Sequence, residues 1–188
     1  MRRAQLEHVL RAASQIAQET DVLVIGSQSV LGAIPEDRLP AAATASIEVD
    51  VAFFDDPDDL KADRVDGAIG ELSAFHDTFG YYAQGVSVST AVLPAGWRER
   101  LVVVDTPGTA PGRGHVLDPH DCVVSKLVAG REKDYVFAAA LLEHGLIDAT
   151  VLAERVETLD VSDGHRQRLR QWIDYHAGLG GDGASAGV

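Results

Sequence analysis

Two carboxylates at alternate positions of an apolar segment are the side chains of this chain best placed to do chemistry. Glu48 and Asp50 lie within the segment 47–53, and residues i and i+2 of a strand project to the same face. Two carboxylates held side by side repel each other unless a cation lies between them. Mg²⁺ suits such oxygen ligands, because it binds through one or two carboxylates and completes its shell with substrate phosphates. The spacing therefore predicts a Mg²⁺ site that serves a phosphorylated substrate.

A Gly-Ser pair upstream of the acids has the properties of a phosphate-binding turn. Gly26 and Ser27 directly follow the apolar run 22–25, which predicts a buried strand that ends at the pair. Glycine lets the backbone come close to a phosphate, and Ser27 can begin a helix whose free N–H groups attract anions. A phosphate site is therefore predicted beside the metal site.

This layout resembles the polymerase-β-type nucleotidyltransferase superfamily, in which a hydrophobic-Gly-Ser turn is followed by acid-x-acid on the next strand. A second segment, residues 117–134, reads LDPHDCVVSKLVAGREKD. It is similar to the lysine and Arg-x-Lys-Asp motifs of abortive-infection toxins of type IV toxin–antitoxin systems and of related uncharacterised bacterial domains. Together the two similarities span roughly residues 22–142.

The resemblance implies a Mg²⁺-dependent transfer of a nucleotide from a nucleoside triphosphate to an RNA, for example a tRNA end, or to a protein hydroxyl. It implies that Glu48 and Asp50 hold the metal, although this branch more often has Asp at the position of Glu48. Lys126 matches the lysine that contacts phosphates, and Asp134 matches the residue that faces the active site. A toxin-like role with an antitoxin partner is a further implication.

Four other basic residues and one acid complete the predicted site. Arg98 and Arg100 lie two apart on a predicted strand and would share a face towards phosphate. Arg131 and Lys133 belong to the Arg-x-Lys-Asp similarity. Superfamily members commonly carry a third acid on a later strand, and Asp105 is the candidate here.

Simpler structural roles fit the same residues. The two strand acids are also typical of the solvent face of an edge strand, and Lys126 is also typical of a surface lysine whose stem packs on apolar neighbours. Asp105 also suits a loop cap, and Lys133 with Asp134 also suits an ion-pair cluster in the first turn of a helix.

The same sequence patterns leave two alternative functions open and exclude two others. A non-catalytic member that binds nucleotide or a partner protein fits the glutamate at position 48, and small-molecule nucleotidylation fits the net charge of −13 better than RNA does. The segment 102–108 resembles a GTPase switch, but the chain lacks the Gly-x-x-x-x-Gly-Lys-Ser/Thr loop. His76-Asp77 and His120-Asp121 are like pairs in metal phosphohydrolases, whose all-helical architecture disagrees with the strands predicted here.

The elements predicted around these residues indicate an α/β (α+β) fold, a small mixed β-sheet nucleotidyltransferase core followed by a C-terminal helical part. Strands are predicted over 22–25, 47–54 and, as a hairpin, within 86–104, with a loop over 106–114. Helices are predicted over 3–19, from the stripe that begins at Leu60, from Asp118-Pro119 to Gly130, and over 131–144, 149–159 and 164–177. We divide the chain into a core, 1–117, a helical part, 118–178, and a flexible tail, 179–188.

Composition limits the class of protein. Hydrophobic residues make up 46% and charged residues 24% of the chain, which is ordinary for a chain that buries a core. The single cysteine, Cys122, excludes an internal disulfide. No segment has the length to cross a bilayer, and the N-terminal segment is amphipathic rather than signal-like. We therefore expect a cytoplasmic protein with no membrane partner.

The two motifs must meet across a cleft, because a triphosphate with its metal needs contacts from both sides. We expect the Gly-Ser turn and the two strand acids on one wall, and Lys126 with Asp134 on the other. Lys126 Nζ should then lie within about 10 Å of the Asp50 carboxylate. The sheet should be mixed and should contain residues 22–25, 47–54 and 101–104.

Overall fold

The two strands that carry the predicted site lie side by side in a five-stranded sheet. The computed structural model describes residues 1–181, and its strands are β1 (Asp21–Val24), β2 (Glu48–Ala52), β3 (Tyr82–Gly85), β4 (Val102–Val104) and β5 (Arg113–Val116). Their order is β3-β2-β1-β5-β4. β1 runs antiparallel to β2 and parallel to β5, β3 runs parallel to β2, and β4 runs antiparallel to β5. The predicted mixed sheet is confirmed.

Helices surround this sheet and make up the whole C-terminal part that the structure describes. They are α1 (Arg3–Ala17), α2 (Val30–Ala33), α3 (Ala41–Thr44), α4 (Leu60–Ile69), α5 (Ala74–Phe79), α6 (Pro119–Ala129), α7 (Glu132–Glu143), α8 (Ala149–Glu157) and α9 (Asp163–Gly181). The predicted tail 179–188 begins within α9, and its residues 182–188 lie outside the described residues. Within residues 1–181, no helix combines the length and apolarity needed to cross a membrane.

The two faces of the sheet pack against different hydrophobic layers, and the side chains of β2 contribute to both. Val49 and Val51 are fully buried in the layer that contains α1 and α4. Ala52 belongs to the other layer, which β1 and the C-terminal helices α6 to α9 build together. Because side chains alternate along a strand, Glu48 and Asp50 share the face of Ala52. The acids therefore point towards the helices that carry the second motif.

The ends of α6 form as the local sequence predicts. The Asp118 carboxylate accepts hydrogen bonds from the backbone N–H groups of His120 and Asp121, at 2.9 and 3.4 Å, and Pro119 occupies the first turn. Gly130 ends the helix in the left-handed conformation, with φ of 66°, which glycine adopts without steric cost. The chain can therefore reverse between α6 and α7.

The predicted hairpin within 86–104 is wrong, since only β4 is a strand there. The segment instead forms two 3₁₀ turns, Val88–Thr90 and Trp97–Arg100. The Arg100 side chain binds the buried Asp121 of α6, which holds the second turn against that helix.

The predicted loop over 106–114 is partly wrong, because β5 begins inside it. Arg113 and His115 both bind one oxygen of Asp21 on the neighbouring strand, with Arg113 Nε at 2.7 Å and His115 Nε2 at 2.8 Å from Asp21 Oδ1. Gly114 lies between them and packs against Leu10 of α1 so closely that a Cβ there would contact its methyl group. These partners are distant in sequence, so a local pattern rich in glycine and proline conceals the strand.

Candidate active site

A cleft of about 600 Å³ opens between the sheet and the C-terminal helices, where β1 ends. Its walls come from α3, β2, β3, the segment after β3, α6 and α7. The polar and charged residues that line it are Ser27, Ser46, Glu48, Asp50, Gln84, Thr90, Ser125, Lys126, Arg131, Lys133 and Asp134. Both predicted motifs therefore meet in one cleft.

Gly26 makes room for the Asp50 carboxylate. The residue has φ of −93°, which other residues also adopt, so conformational freedom is not the reason for glycine here. A Cβ at position 26 would overlap the Asp50 side chain and would lie 2.7 Å from its Cγ. The backbone N–H of Ile25 also donates to the Asp50 carbonyl oxygen at 3.2 Å. The Gly-Ser turn and the acid-bearing strand are therefore fitted to each other.

Asp50 lies in an environment that disfavours its charge. Burial raises the pKa of Asp50 to about 6, and the neighbouring Glu48 carboxylate adds to the rise, while Lys126 and Arg131 oppose it. Lys126 Nζ lies 4.0 Å from Asp50 Oδ2, so the expected separation of less than about 10 Å is confirmed. A buried carboxylate that lies beside a second one, and whose burial the neighbouring cations only partly offset, is an arrangement that a bound cation would stabilise.

Asp134 faces the cleft, but its carboxylate is already bonded to Arg131. Arg131 Nε donates to Asp134 Oδ2 at 2.7 Å and Nη2 donates to Oδ1 at 3.2 Å, while the Arg131 backbone N–H also donates to Oδ2 at 3.2 Å. This hydrogen bonding raises the pKa of Arg131. The Asp134 side chain is 4% exposed and that of Arg131 is 54% exposed. Asp134 therefore holds the Arg131 guanidinium group at the rim of the cleft.

The alternative role considered for Lys133 and Asp134, an ion pair in the first turn of α7, involves a different basic residue. Arg131, rather than Lys133, is the partner of Asp134. Lys133 is exposed and lines the same cleft. Lys126, Arg131 and Lys133 together place positive charge opposite the two acids, which gives the cleft one wall suited to a metal and another suited to phosphate.

Buried polar groups support the turn that begins at Gly26. Ser29 Oγ donates to the Val24 carbonyl oxygen at 2.8 Å, and Cys122 Sγ donates to the Gly26 carbonyl oxygen at 3.5 Å. Burial raises the pKa of the Cys122 thiol to about 12, so this side chain stays a neutral donor at physiological pH. Ser27 itself is half-buried and lines the cleft.

The structure does not bring Arg98 and Arg100 into the cleft. Their segment is a 3₁₀ turn rather than a strand, so the shared face predicted for them does not exist. The Arg98 guanidinium lies over the rings of Trp97 and Phe54, 5.0 and 5.7 Å from their centroids. It borders a separate depression of about 190 Å³. Arg100 is bound to Asp121 and has a structural role.

The His-Asp pair at the start of α6 is structural too. Arg100 Nε and Nη2 donate to the two oxygens of Asp121 at 2.8 and 3.1 Å. Arg155 Nε lies 3.2 Å from Asp121 Oδ1 but is not aligned for a hydrogen bond. The His120 ring lies between Asp118 Oδ1, at 3.1 Å, and the backbone N–H of Asp148, which donates to Nε2 at 3.0 Å.

Asp105 lies at the opposite end of the sheet from Asp50, which corrects the prediction of a third acid in the site. Val104 pairs with Gly114 on β5, and Gly114 pairs with Val22 near the start of β1. Because β4 runs antiparallel to β5, Asp105 continues away from the end of β1 where the cleft opens. Within residues 1–181, no three acidic, histidine or cysteine side chains are grouped to hold a metal.

Two polar residues of β3 belong to the site and were missed from the sequence. β3 pairs with β2 in parallel register, with Tyr82 opposite Glu48 and Gln84 opposite Asp50. The Tyr82 hydroxyl donates to Glu48 Oε2 at 3.0 Å, and burial raises the pKa of Tyr82 to about 12. The aromatic residues at 81–82 favour a strand, but no local signal identifies β2 as its neighbour.

Comparison with known sequences finds a family model that covers most of the chain. The sequence model of a family described as "Nucleotidyltransferase of unknown function (DUF6036)" matches residues 4–177. The matched region includes the Gly-Ser turn, both strand acids and the whole second motif. No curated protein and no solved structure matches this chain.

Proposed function

The chain belongs to this nucleotidyltransferase family, and we propose that it moves a nucleotide from a nucleoside triphosphate to a hydroxyl acceptor with Mg²⁺ as cofactor. One observation carries the proposal: Glu48, Asp50 and Lys126 meet in a single cleft, with Lys126 Nζ 4.0 Å from Asp50 Oδ2.

The residues present fit a Mg²⁺ ion that is shared with a substrate. Asp50 is held in a position that disfavours its negative charge, beside a second carboxylate on the same strand face. The described residues group no third acidic, histidine or cysteine side chain with these two, which suits an ion that takes one or two carboxylates and fills its other positions with water and phosphate. When bound, Mg²⁺ would neutralise phosphate charge and orient the triphosphate. Glu48 and Asp50 are the residues that would hold it.

The other wall of the cleft would bind the phosphates. Lys126 Nζ carries its charge into the cleft from the last turn of α6, and Arg131 is held at the rim by Asp134. Ser27 at the start of its turn and the exposed Lys133 would add contacts, whereas Asp134 would act through Arg131.

In the proposed reaction, an acceptor oxygen forms a bond to the α-phosphorus and the bond from that phosphorus to the β-phosphate oxygen breaks. Pyrophosphate leaves, and the proton of the acceptor hydroxyl passes to solvent. Lys126 and Arg131 would stabilise the charge that develops on the leaving group. Positioning and electrostatic stabilisation supply most of the catalysis in phosphoryl transfer reactions of this kind.

The finer proposal concerns the acceptor. Similarity of residues 117–134 to abortive-infection toxins supports an RNA, such as a tRNA end, or a protein hydroxyl as the acceptor. It also supports a toxin-like role in which an antitoxin protein would be the partner. A non-catalytic, nucleotide-binding role is the alternative favoured by the glutamate at position 48, and a small-molecule acceptor is the alternative favoured by the net charge of −13.

A transfer assay with α-³²P-labelled ATP, GTP, CTP and UTP tests the proposal. The purified chain is incubated with Mg²⁺ and each nucleotide, in parallel with total RNA, with a protein mixture and with a metabolite extract. We expect label to enter one acceptor class, and we expect no transfer by the Asp50→Asn variant or without Mg²⁺. Mg²⁺-dependent nucleotide binding without transfer in any reaction would favour the non-catalytic alternative. No nucleotide binding at all would overturn the proposal.

A further inference from the structure

The glutamate at position 48 has a specific partner on the neighbouring strand. The Tyr82 hydroxyl lies 3.0 Å from Glu48 Oε2. The two residues are paired in register, so the contact follows from the alignment of β2 and β3 rather than from a chance side-chain rotamer. Tyr82 is 9% exposed, and its ring packs against His76 of α5, with centroids 4.7 Å apart. The contact with His76 therefore fixes the position of the Tyr82 ring.

The same strand brings no further charge to the acids. Gln84 stands opposite Asp50 in the register and is neutral. The third carboxylate that lines the cleft, Asp134, is already bonded to Arg131, so the orientation of Glu48 determines how the two strand acids present their oxygens. A free glutamate has three rotatable side-chain bonds and loses conformational entropy when it is fixed on a ligand. A hydrogen bond from Tyr82 restricts the glutamate before the cation binds, so less conformational entropy is lost on binding.

We propose that Tyr82 is a positioning residue: its hydroxyl holds one oxygen of Glu48 so that the glutamate and Asp50 together present a preformed site for the divalent cation. This inference rests on the proposed function. It also accounts for a glutamate at this position, because an aspartate is shorter by one methylene, about 1.5 Å, and would not reach both Tyr82 and the cation. Hydrogen-bond partners of metal ligands commonly affect metal affinity in this way.

Tyr82→Phe tests the proposal, because it removes the hydroxyl and keeps the ring that packs against His76. The measurement is Mn²⁺ affinity, followed by the loss of the electron paramagnetic resonance signal of free Mn²⁺. The titration contains a saturating α,β-methylene analogue of ATP, GTP, CTP or UTP, whichever binds the wild-type protein most tightly. We expect the Mn²⁺ dissociation constant to rise about tenfold, with an unchanged fold by circular dichroism.

Tyr81→Phe is the matched control. Tyr81 directly precedes Tyr82, but its hydroxyl pairs with His8 Nδ1 of α1 at 2.7 Å, in the layer on the other face of the sheet. Loss of this hydroxyl should leave the Mn²⁺ affinity within about twofold of the wild type. A general effect of removing a buried hydroxyl would appear in both variants.

The double variant separates positioning from a merely structural role. In a Glu48→Asp background the carboxylate no longer reaches Tyr82, so Tyr82→Phe should change the Mn²⁺ affinity by less than about twofold. Glu48→Asp alone should weaken Mn²⁺ about as much as Tyr82→Phe does, which keeps the proposal testable even if Tyr82→Phe fails to fold.

The outcomes distinguish this inference from the function on which it rests. If the wild type and Tyr81→Phe bind Mn²⁺ with nucleotide and Tyr82→Phe binds it equally well, only the positioning role is overturned. Equal effects of Tyr82→Phe in both backgrounds would likewise overturn it. If the wild type binds no Mn²⁺ with any of the analogues, the proposed function and this inference both fail.

Discussion

Asp50 and Asp121 are two buried acids of the same molecule with opposite surroundings. Burial raises the pKa of both. Asp121 is fully buried and receives two hydrogen bonds from Arg100, with Arg155 as a second cation 3.2 Å away. Asp50 has a second carboxylate beside it, and its nearest cation within residues 1–181, Lys126 Nζ, is 4.0 Å away. A buried acid with a hydrogen-bonded cation can stabilise a fold, whereas one without such a cation is available to a ligand.

The comparison predicts the largest effect at Asp121. Asp121→Asn leaves the guanidinium groups of Arg100 and Arg155 without their shared counter-charge in a mostly buried setting. Burial raises the pKa of Asp121, but asparagine would also turn an N–H donor towards a guanidinium group. We therefore expect the free energy of unfolding to fall by about 3–5 kcal/mol, as is typical when one member of a buried ion pair is removed. Urea denaturation at pH 7 measures the change. A loss below about 1 kcal/mol would show that the two arginines are solvated and that Asp121 does not differ from a surface acid.

Asp50→Asn should change stability in the opposite direction. The pKa of about 6 in the folded state lies above the ordinary aspartate value of 3.8, so the native state binds more protons than the unfolded state between these pH values. Ionisation of Asp50 therefore costs stability as the pH rises through this window, and the cost is complete above pH 6. A rise of the pKa from 3.8 to about 6 corresponds to roughly 2–3 kcal/mol of unfolding free energy.

The measurement for Asp50→Asn is urea denaturation of both proteins without metal at pH 4 and pH 8. The two proteins should be similar in stability at pH 4, and the variant should be the more stable at pH 8. A variant that is less stable than the wild type at pH 8 would show that Asp50 is paired as well as Asp121 is.

Lys126→Ala and Arg98→Ala together test which of two residues predicted to bind phosphate does so. Lys126 reaches the cleft and Arg98 does not, although both were predicted to bind nucleotide. Loss of a charged hydrogen-bond partner costs about 1.5–3 kcal/mol, so the Kd for Mg²⁺–nucleotide should rise by roughly 10- to 150-fold in Lys126→Ala. Arg98→Ala serves as the control and should change it by less than about twofold. Isothermal titration calorimetry gives both values, and equal losses would place the phosphates elsewhere.

The smallest effect is expected at Asp105. It is exposed at the far end of the sheet, and surface substitutions usually change stability by less than about 0.5 kcal/mol. Asp105→Asn should therefore alter neither the urea midpoint nor Mg²⁺–nucleotide affinity in calorimetry. A clear loss of Mg²⁺-dependent binding would return Asp105 to the metal site and contradict the sheet order described here.

The sequence correctly predicts the features that depend only on adjacent residues. The alternation of residues 48–52 assigned the two acids to one face, because the side-chain period of a strand is two. Asp118 and Pro119 marked the start of α6 and Gly130 its end, because caps and left-handed turns depend on a few adjacent residues. The prediction that Lys126 joins the acids in one cleft came instead from the resemblance of residues 117–134 to a known motif.

Contacts between residues far apart in the sequence determined the remaining features of the fold and of the site. Whether Tyr82 stands beside Glu48, and whether Asp105 lies near Asp50 or far from it, depends on strand order, direction and register, which join residues that are tens of positions apart. The position of Arg100 depends on a buried acid in a later helix. The sequence by itself thus determined which side chains can do chemistry and which way they face along their own strands. Only the tertiary structure decided which of them meet, because a strand pattern carries no information about the identity or direction of its neighbour.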